Sequence, residues 1–235
     1  MIWFAGKSSD DVGVVVEYSP NPTRPLKKYE IVSVAGRNGD LLIEQDAYEN
    51  YVQAYDVYVR ADRNRLHYSA SAVAEWLYAP RGYQRLEDSY DLDHYRLAYY
   101  VGALDIEGVL NTFGRATLEF NCKPQRYLKS GEAALPAITA AASLVNPTGF
   151  AAKPLITVYG SGTGSLAIGN YTVDFTGINS YVTLDCETQN AYKGNTNRNL
   201  YISTNKFPQL DAGETEISFT GGITSIVIVP RWWRL

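Results

Sequence analysis

The chain has 235 residues, 46% of them hydrophobic and 20% charged, a balance that excludes a disordered protein and suits one large β domain or two modest ones. With 21 lysines and arginines against 25 acids, its net charge of −4 argues against a general nucleic-acid binder. Cys122 and Cys186 lie far apart with no CxxC spacing, which argues against a zinc site and leaves free thiols and one long-range disulfide both open.

Met1-Ile2-Trp3-Phe4-Ala5 offers neither a basic region nor a long apolar core, so the start does not read as a signal peptide. The least polar stretch, 133–145, is broken by Pro136, Thr139 and Ser143 and is too short to span a bilayer. The expected product is a soluble protein made in a cytoplasm. An apolar run through Val14-Val15-Val16 leads past several prolines to the turn Gly36-Arg37-Asn38-Gly39-Asp40, where Asn-Gly tolerates the positive φ of a reversal. A tyrosine-rich strand, Tyr51 to Val59, follows; tyrosine suits half-buried strands and protein interfaces, where the ring is covered and the hydroxyl stays wet. A short helix comes next, with Ser69 or Ser71 as its cap, Val73, Trp76 and Leu77 on one face and Pro80 as its stop. Beyond it, Ala116, Leu118 and Phe120 alternate with polar neighbours, as in a sheet with one buried face.

Small residues from Ala133 to Ala142 and the turn Asn146-Pro147-Thr148-Gly149-Phe150 mark a boundary, giving a first domain 1–132, a connecting segment 133–150 and a second domain 151–235. The connecting tract is too apolar for a solvated linker and is expected to run extended against a domain. In the second half, Gly169-Asn170 predicts a two-residue hairpin turn between 165–168 and 171–175. Further strands are expected at Tyr181–Asp185, Leu200–Ser203, Glu216–Thr220 and Thr224–Val229, the last covered on both faces at Ile226-Val227-Ile228-Val229. Short strands at this spacing predict a β-sandwich.

Catalytic signals are few. Gly160-Ser161-Gly162-Thr163-Gly164 lacks the Gly-Lys-Ser/Thr ending of a phosphate loop and reads as a hairpin loop. In a strand, Asp91 and Asp93 would face one side and His94 the other, so that trio is not expected to converge. His67 has no obvious nucleophile partner, and no GxSxG or HExxH occurs. Glu44, Glu49, Asp185 and Glu187 are carboxylates whose pairing spacing cannot reveal. Neither cofactor nor metal is predicted.

Trp3 to Val16, the turn 36–40 and Asp46 to Tyr51 occur in an order that resembles the amino-terminal domain of the distal tail proteins of phages infecting Gram-positive hosts. Asn146 to Phe150 with Pro154-Leu155-Ile156, the run Asp185 to Gly194 and the ending Val229-Pro230-Arg231-Trp232-Trp233 are similar to the carboxy-terminal domain of that family. The resemblance implies a mainly β, two-domain fold: an N-terminal β-sandwich with one helix and a projecting hairpin, then a galectin-like β-sandwich. It further implies a non-enzymatic virion protein, a homohexameric hub joining the tail tube to the baseplate, with tube, tail-tip and receptor-binding or baseplate proteins as partners. Membranes and specific nucleic-acid sequences are not among the expected partners. Ring contacts are expected at Arg37, Asn38, Asp40, Tyr48, Tyr51, Arg63 and Arg65. The competing expectation is a binder of host cell-wall sugars through the second domain, with Tyr192 or Trp233 as the aromatic platform; adjacent tryptophans in a strand point to opposite faces, so packing is favoured for both.

Overall fold

The computed structural model describes residues 1–110 and 112–235. The chain is mainly β, as predicted, and divides into two compact units, Met1–Arg126 with Leu235, and Tyr127–Arg234. The first unit holds strands β1 (Ile2–Phe4), β2 (Lys7–Ser8), β3 (Val14–Val16), β4 (Lys27–Val32), β5 (Leu41–Tyr48), β6 (Tyr51–Arg60), β7 (Gln84–Asp88), β8 (His94–Tyr100) and β9 (Glu107–Leu110). It also holds helix α1 (Leu66–Tyr78) and most of the long strand β10 (Phe113–Leu128), within which the boundary falls. The second unit holds β11 (Ala142–Asn146), β12 (Leu155–Ile168), β13 (Tyr171–Asp185), β14 (Asn190–Lys193), β15 (Thr196–Asn197), β16 (Ile202–Ser203), β17 (Gly213–Val229) and β18 (Trp233–Arg234).

In the first unit the strands pair in the order β2-β1-β7-β8-β10-β6-β3, with β9 also on β10. The alternation seen in the sequence decides which face is buried: Leu118, Phe120 and Cys122 of β10 point inward with Tyr51, Tyr55, Val57 and Val59 of β6. The core is aromatic. Phe120 has Phe4, Tyr100 and Tyr55 around it at ring distances of 5.0, 5.7 and 5.9 Å, mostly edge-on, the arrangement that ring quadrupoles favour. Helix α1 closes this core with Val73, Trp76 and Leu77, the predicted face, and Trp76 Nε1–H donates to Phe4 O at 3.1 Å. Its start differs from expectation. The helix begins at Leu66, three and five residues before the proposed serine caps, and Arg65 at the cap position makes no side-chain capping hydrogen bond. Ser71 Oγ–H bonds back to His67 O at 3.0 Å, the mid-helix habit of serine.

In the second unit the order is β11-β17-β12-β13-β14-β15, with β16 on β13. The predicted Gly169-Asn170 turn joins β12 to β13. The tract after the boundary runs extended: Ala142–Asn146 pairs with β17, and Ile138 bridges Ile226. The core is largely aliphatic, with Ile156, Val158, Leu166, Ile168, Leu184, Ile226 and Ile228 all fully covered. Val227 and Val229 are half-buried, so the apolar end of β17 is covered on both sides as its sequence implied. Leu200 is not in a strand; a 3-10 turn occupies Asn199–Tyr201 and only Ile202–Ser203 pairs.

The glycine cluster 160–164 corrects a second expectation, because it lies inside the continuous strand β12 and not in a loop. The segments predicted separately at 216–220 and 224–229 are likewise one strand, β17. The pairing of β12 with β17 shifts register between Tyr159 and Gly164, beside Gly221 and Gly222 of β17, and its pairing with β13 shifts between Gly162 and Gly164. These glycines remove Cβ atoms where two backbones come together: a Cβ on Gly222 would lie 1.8 Å from Ser161 O, and one on Gly160 2.2 Å from Gly222 O. Gly222→Ala should therefore destabilise the protein by about 2 kcal/mol or more, whereas Gly149→Ala, with open space around its Cβ, should change stability by under about 0.5 kcal/mol. Urea midpoints of the two variants check this.

Candidate functional site

Two features of the first unit go beyond what its core requires. The first is the hairpin β4–β5, a sheet of two strands in which Tyr29 pairs with Glu44, Glu30 with Ile43, Ile31 with Leu42 and Val32 with Leu41. Directly paired residues share a face. One face thus carries Tyr29, Ile31 and Leu42 with Glu44, and the other Val32, Leu41 and Ile43 with Glu30. Both faces are mostly apolar and both are open: Ile31 is 66% exposed, Leu42 54%, Tyr29 47% and Ile43 42%. Charge sits at the base, where Lys27 pairs with Glu44, and polar residues sit at the tip, where Gly39 of the Asn-Gly pair takes positive φ as predicted, Gly36 does so too, and Asn38 does not. A lone two-stranded sheet is at best marginal in water.

The second feature is a buried ionic network at the polar end of the same unit. Arg96, its side chain 5% exposed, uses three nitrogens on three partners: Nε to Tyr51 Oη at 3.1 Å, Nη1 to Asp88 Oδ2 at 3.0 Å and Nη2 to Asp91 Oδ2 at 3.3 Å. Burial alone would favour loss of its charge, but Tyr55, Tyr51 and Asp88 outweigh burial and raise its pKa. Tyr55 O–H donates to Asp88 Oδ2 at 2.7 Å, and Tyr90 N–H to Asp88 Oδ1 at 2.9 Å. Asp91 also receives Arg126 Nη1 at 2.8 Å and faces His94 Nδ1 at 2.6 Å. This corrects the expectation that Asp91 and His94 diverge. The strand rule does not apply to them, because Asp91 lies in the turn before β8 and the chain folds back on itself there.

The expected site residues fall in different places. Arg37, Asn38 and Asp40 lie together at the exposed hairpin tip, and Tyr48 ends β5 half-buried. Arg63 and Arg65 are exposed on the separate turn before α1. Tyr51 sits in the core, with its hydroxyl on Arg96. In the second unit, Trp232 is buried, while Trp233 stacks on Phe150 at 4.5 Å and donates its indole N–H to Ala151 O at 3.0 Å. Tyr192 is half-buried on β14. Sequence reasoning missed the two-faced exposure of the hairpin and the arginine network. Consecutive apolar residues at Leu41-Leu42-Ile43, where one-sided burial would alternate, were the available signal for the first.

Both thiols are free and buried, and burial pushes each up to about 12, so neither is primed as a nucleophile. No group of three or more His, Cys, Asp or Glu among the described residues could hold a metal ion. No helix among them is long and apolar enough to cross a membrane.

Two substitutions test the network. Arg96→Met leaves Asp88 charged and buried without its cation, so it should cost about 3–5 kcal/mol in urea unfolding. Burial tends to raise Asp91, but its hydrogen bond and charge contact with His94, and those with Arg126, overcome this and hold it below the usual aspartate range. A carboxyl depressed in the folded state stabilises fully above its unfolded pKa and loses that contribution as pH falls through its folded value. Stability measured from pH 6 downward should therefore decline from about pH 4, less steeply in Asp91→Asn.

No protein-family model matches the chain, and no curated protein does. Among solved structures, the crystal structure of the SPP1 Dit protein aligns with a TM-score of 0.78 at 14% identity, covering 100% of this chain and 98% of that one. It is described as a paradigm of the hub adsorption apparatus in Gram-positive infecting phages. Two structures of the phage P2 baseplate in its activated conformation, with Ca and with Sr, align with TM-scores of 0.49 and 0.44 at 10% identity, over 92% of this chain and 90% of each of theirs. From end to end, the fold of this chain is Dit-like, that of the SPP1 Dit protein.

Proposed function

We propose that this chain is a structural subunit of a phage virion: a hub at the distal end of the tail that joins the tail tube to the baseplate as a homohexameric ring. The observation that carries the reading is the hairpin β4–β5, whose two open faces are both mostly apolar, on a chain whose whole length shares the fold of a hub protein. An exposed band of this kind marks a partner surface, and a second copy of the chain is the partner that the hub reading supplies. In a closed ring the interface is heterologous, one patch meeting a different patch on the next copy until the rotation closes.

Residues 1–132 form the ring in this reading. The hairpin, with Arg37, Asn38 and Asp40 at its tip and Tyr48 at its end, contributes one patch, and Arg63 and Arg65 contribute to ring contacts on the turn before α1. Residues 133–150 connect to the domain 151–235, which faces tail-tip, receptor-binding or baseplate proteins. The work is assembly without catalysis, and the protein is made in the host cytoplasm before it enters the virion.

Light scattering coupled to size-exclusion chromatography tests this directly. The expected result is a hexamer, or a monomer–hexamer equilibrium that shifts with concentration. The double substitution Ile31→Asp, Leu42→Asp should cost about 2 kcal/mol or more per interface and leave a folded monomer, since both side chains are exposed within a single copy. A wild-type protein that stays monomeric at its highest soluble concentration would overturn the reading.

A further inference from the structure

The proline-bearing segment Ser19–Pro22 forms one wall of a cleft of about 330 Å³ in the first unit. This wall is tied to β6, since Asn21 O accepts from Gln53 Nε2 at 3.1 Å and from Thr23 N–H at 2.9 Å. The cleft is also lined by Arg24, Arg96, Arg126, Asp88 and Asp91, and it is large enough for a small ligand. Its side-chain charges are three guanidinium groups against two carboxylates, an excess of one positive charge.

Both carboxylates are already occupied. Asp88 accepts from Tyr55, Tyr90 and Arg96; Asp91 accepts from Arg96 and Arg126 and faces His94. Arg96 has committed three nitrogens. The other two cations have not. Arg126 gives Nη1 to Asp91 and Nη2 to Leu235 O at 2.7 Å, but its Nε is buried with no acceptor among the described residues. Arg24 reaches only the backbone of its neighbour, Thr23 O at 3.0 Å, and no carboxylate among the described residues pairs with it. Partial burial, then the positive charges of Arg126 and Arg96, lower its pKa against the opposing pull of Tyr51 and Asp91. A guanidinium that pairs with no carboxylate, beside two further guanidiniums lining the same cleft, is relieved by an incoming anion.

We propose that this cleft is an oxyanion-binding site, holding a phosphate or carboxylate group on Arg24 and Arg126, with Arg96 as fixed positive charge behind them. Guanidinium suits this task because its planar fork of donors matches both oxyanions. The residues all belong to the first unit, so the site needs no subunit partner and does not depend on ring formation.

Calorimetric titration of the full chain with inorganic phosphate and, separately, with succinate tests the site, at constant ionic strength so that general screening is held equal. Saturable binding of either ion, weakened about tenfold or more in Arg24→Gln and unchanged in Arg81→Gln, supports it. Phosphate alone binding would identify a phosphate site, succinate alone a carboxylate site, and both a site that reads only charge. Arg24→Lys keeps the charge but loses the fork and should fall between wild type and Arg24→Gln. Because Arg24 is exposed, these variants should melt with the wild type when no anion is present. Absence of saturable binding by both ions, or binding that Arg24→Gln leaves intact, would overturn the proposal.

Discussion

The burial of Arg96 is the constraint around which the polar half of the first unit is organised. Removing a guanidinium from water costs several kcal/mol unless its donors and charge are matched. Here the matching groups come from three stretches of chain: Tyr51 on β6, Asp88 at the end of β7 and Asp91 in the turn that follows. Each of these must hold its place for the charge to be tolerated, so the network fixes how β6, β7 and β8 meet. Tyr55 extends it, with its ring packed on Phe120 and its hydroxyl on Asp88. The buried face of β6 is therefore graded, from polar-tipped Tyr51, Gln53 and Tyr55 to wholly apolar Val57 and Val59. The polar end opens on the arginine-lined cleft.

The second unit solves the same problem of covering a sheet with different means. Its interior is mostly branched aliphatic side chains, and its specificity comes from where side chains are missing. β12 and β17 are long, and both shift register at one level, where Gly160 and Gly164 meet Gly221 and Gly222. With any larger residue there the strands would part, and the apolar residues that follow, Ile223, Ile226 and Ile228, would lose their fixed place in the core. Cβ atoms missing in one place thus set the side chains that are buried in another.

Much of this was legible in the sequence wherever one local rule decides the outcome. Val73, Trp76 and Leu77 reached the core because helical spacing puts them on one face, and Leu118 and Phe120 because a strand alternates. Gly169-Asn170 made its turn because nothing else competes for those two residues. The failures share a different cause. Gly160 to Gly164 looked like a loop because glycine's freedom in turns is a local property; the role it fills depends on Gly221 and Gly222, far along the chain. Asp91 and His94 were assigned opposite faces by a strand rule that does not hold in a turn. Arg24, Arg96 and Arg126 share no spacing at all, and only the fold gathers them. The hairpin's turn was visible, but the openness of its faces was not, because exposure depends on whether another element covers them.

That hairpin carries the strongest constraint on how a partner could fit. Its polarity changes along its length: charged residues at the base, a mostly apolar band interrupted by Glu30 in the middle and a polar tip at 37–40. A flat surface laid against it would cover Tyr29, Ile31 and Leu42 but leave Leu41 and Ile43 in water, or the reverse. Covering the whole band requires contact from both sides, so in the proposed ring the hairpin enters a slot on the neighbouring copies. This arrangement also limits misassembly: Lys27, Lys28, Glu30, Glu44 and Asp46 make bare edge-to-edge stacking of hairpins unfavourable, while contact along the apolar band stays available. In the proposed ring, the features that make the hairpin a poor element of a lone monomer are those that specify where the next copy goes.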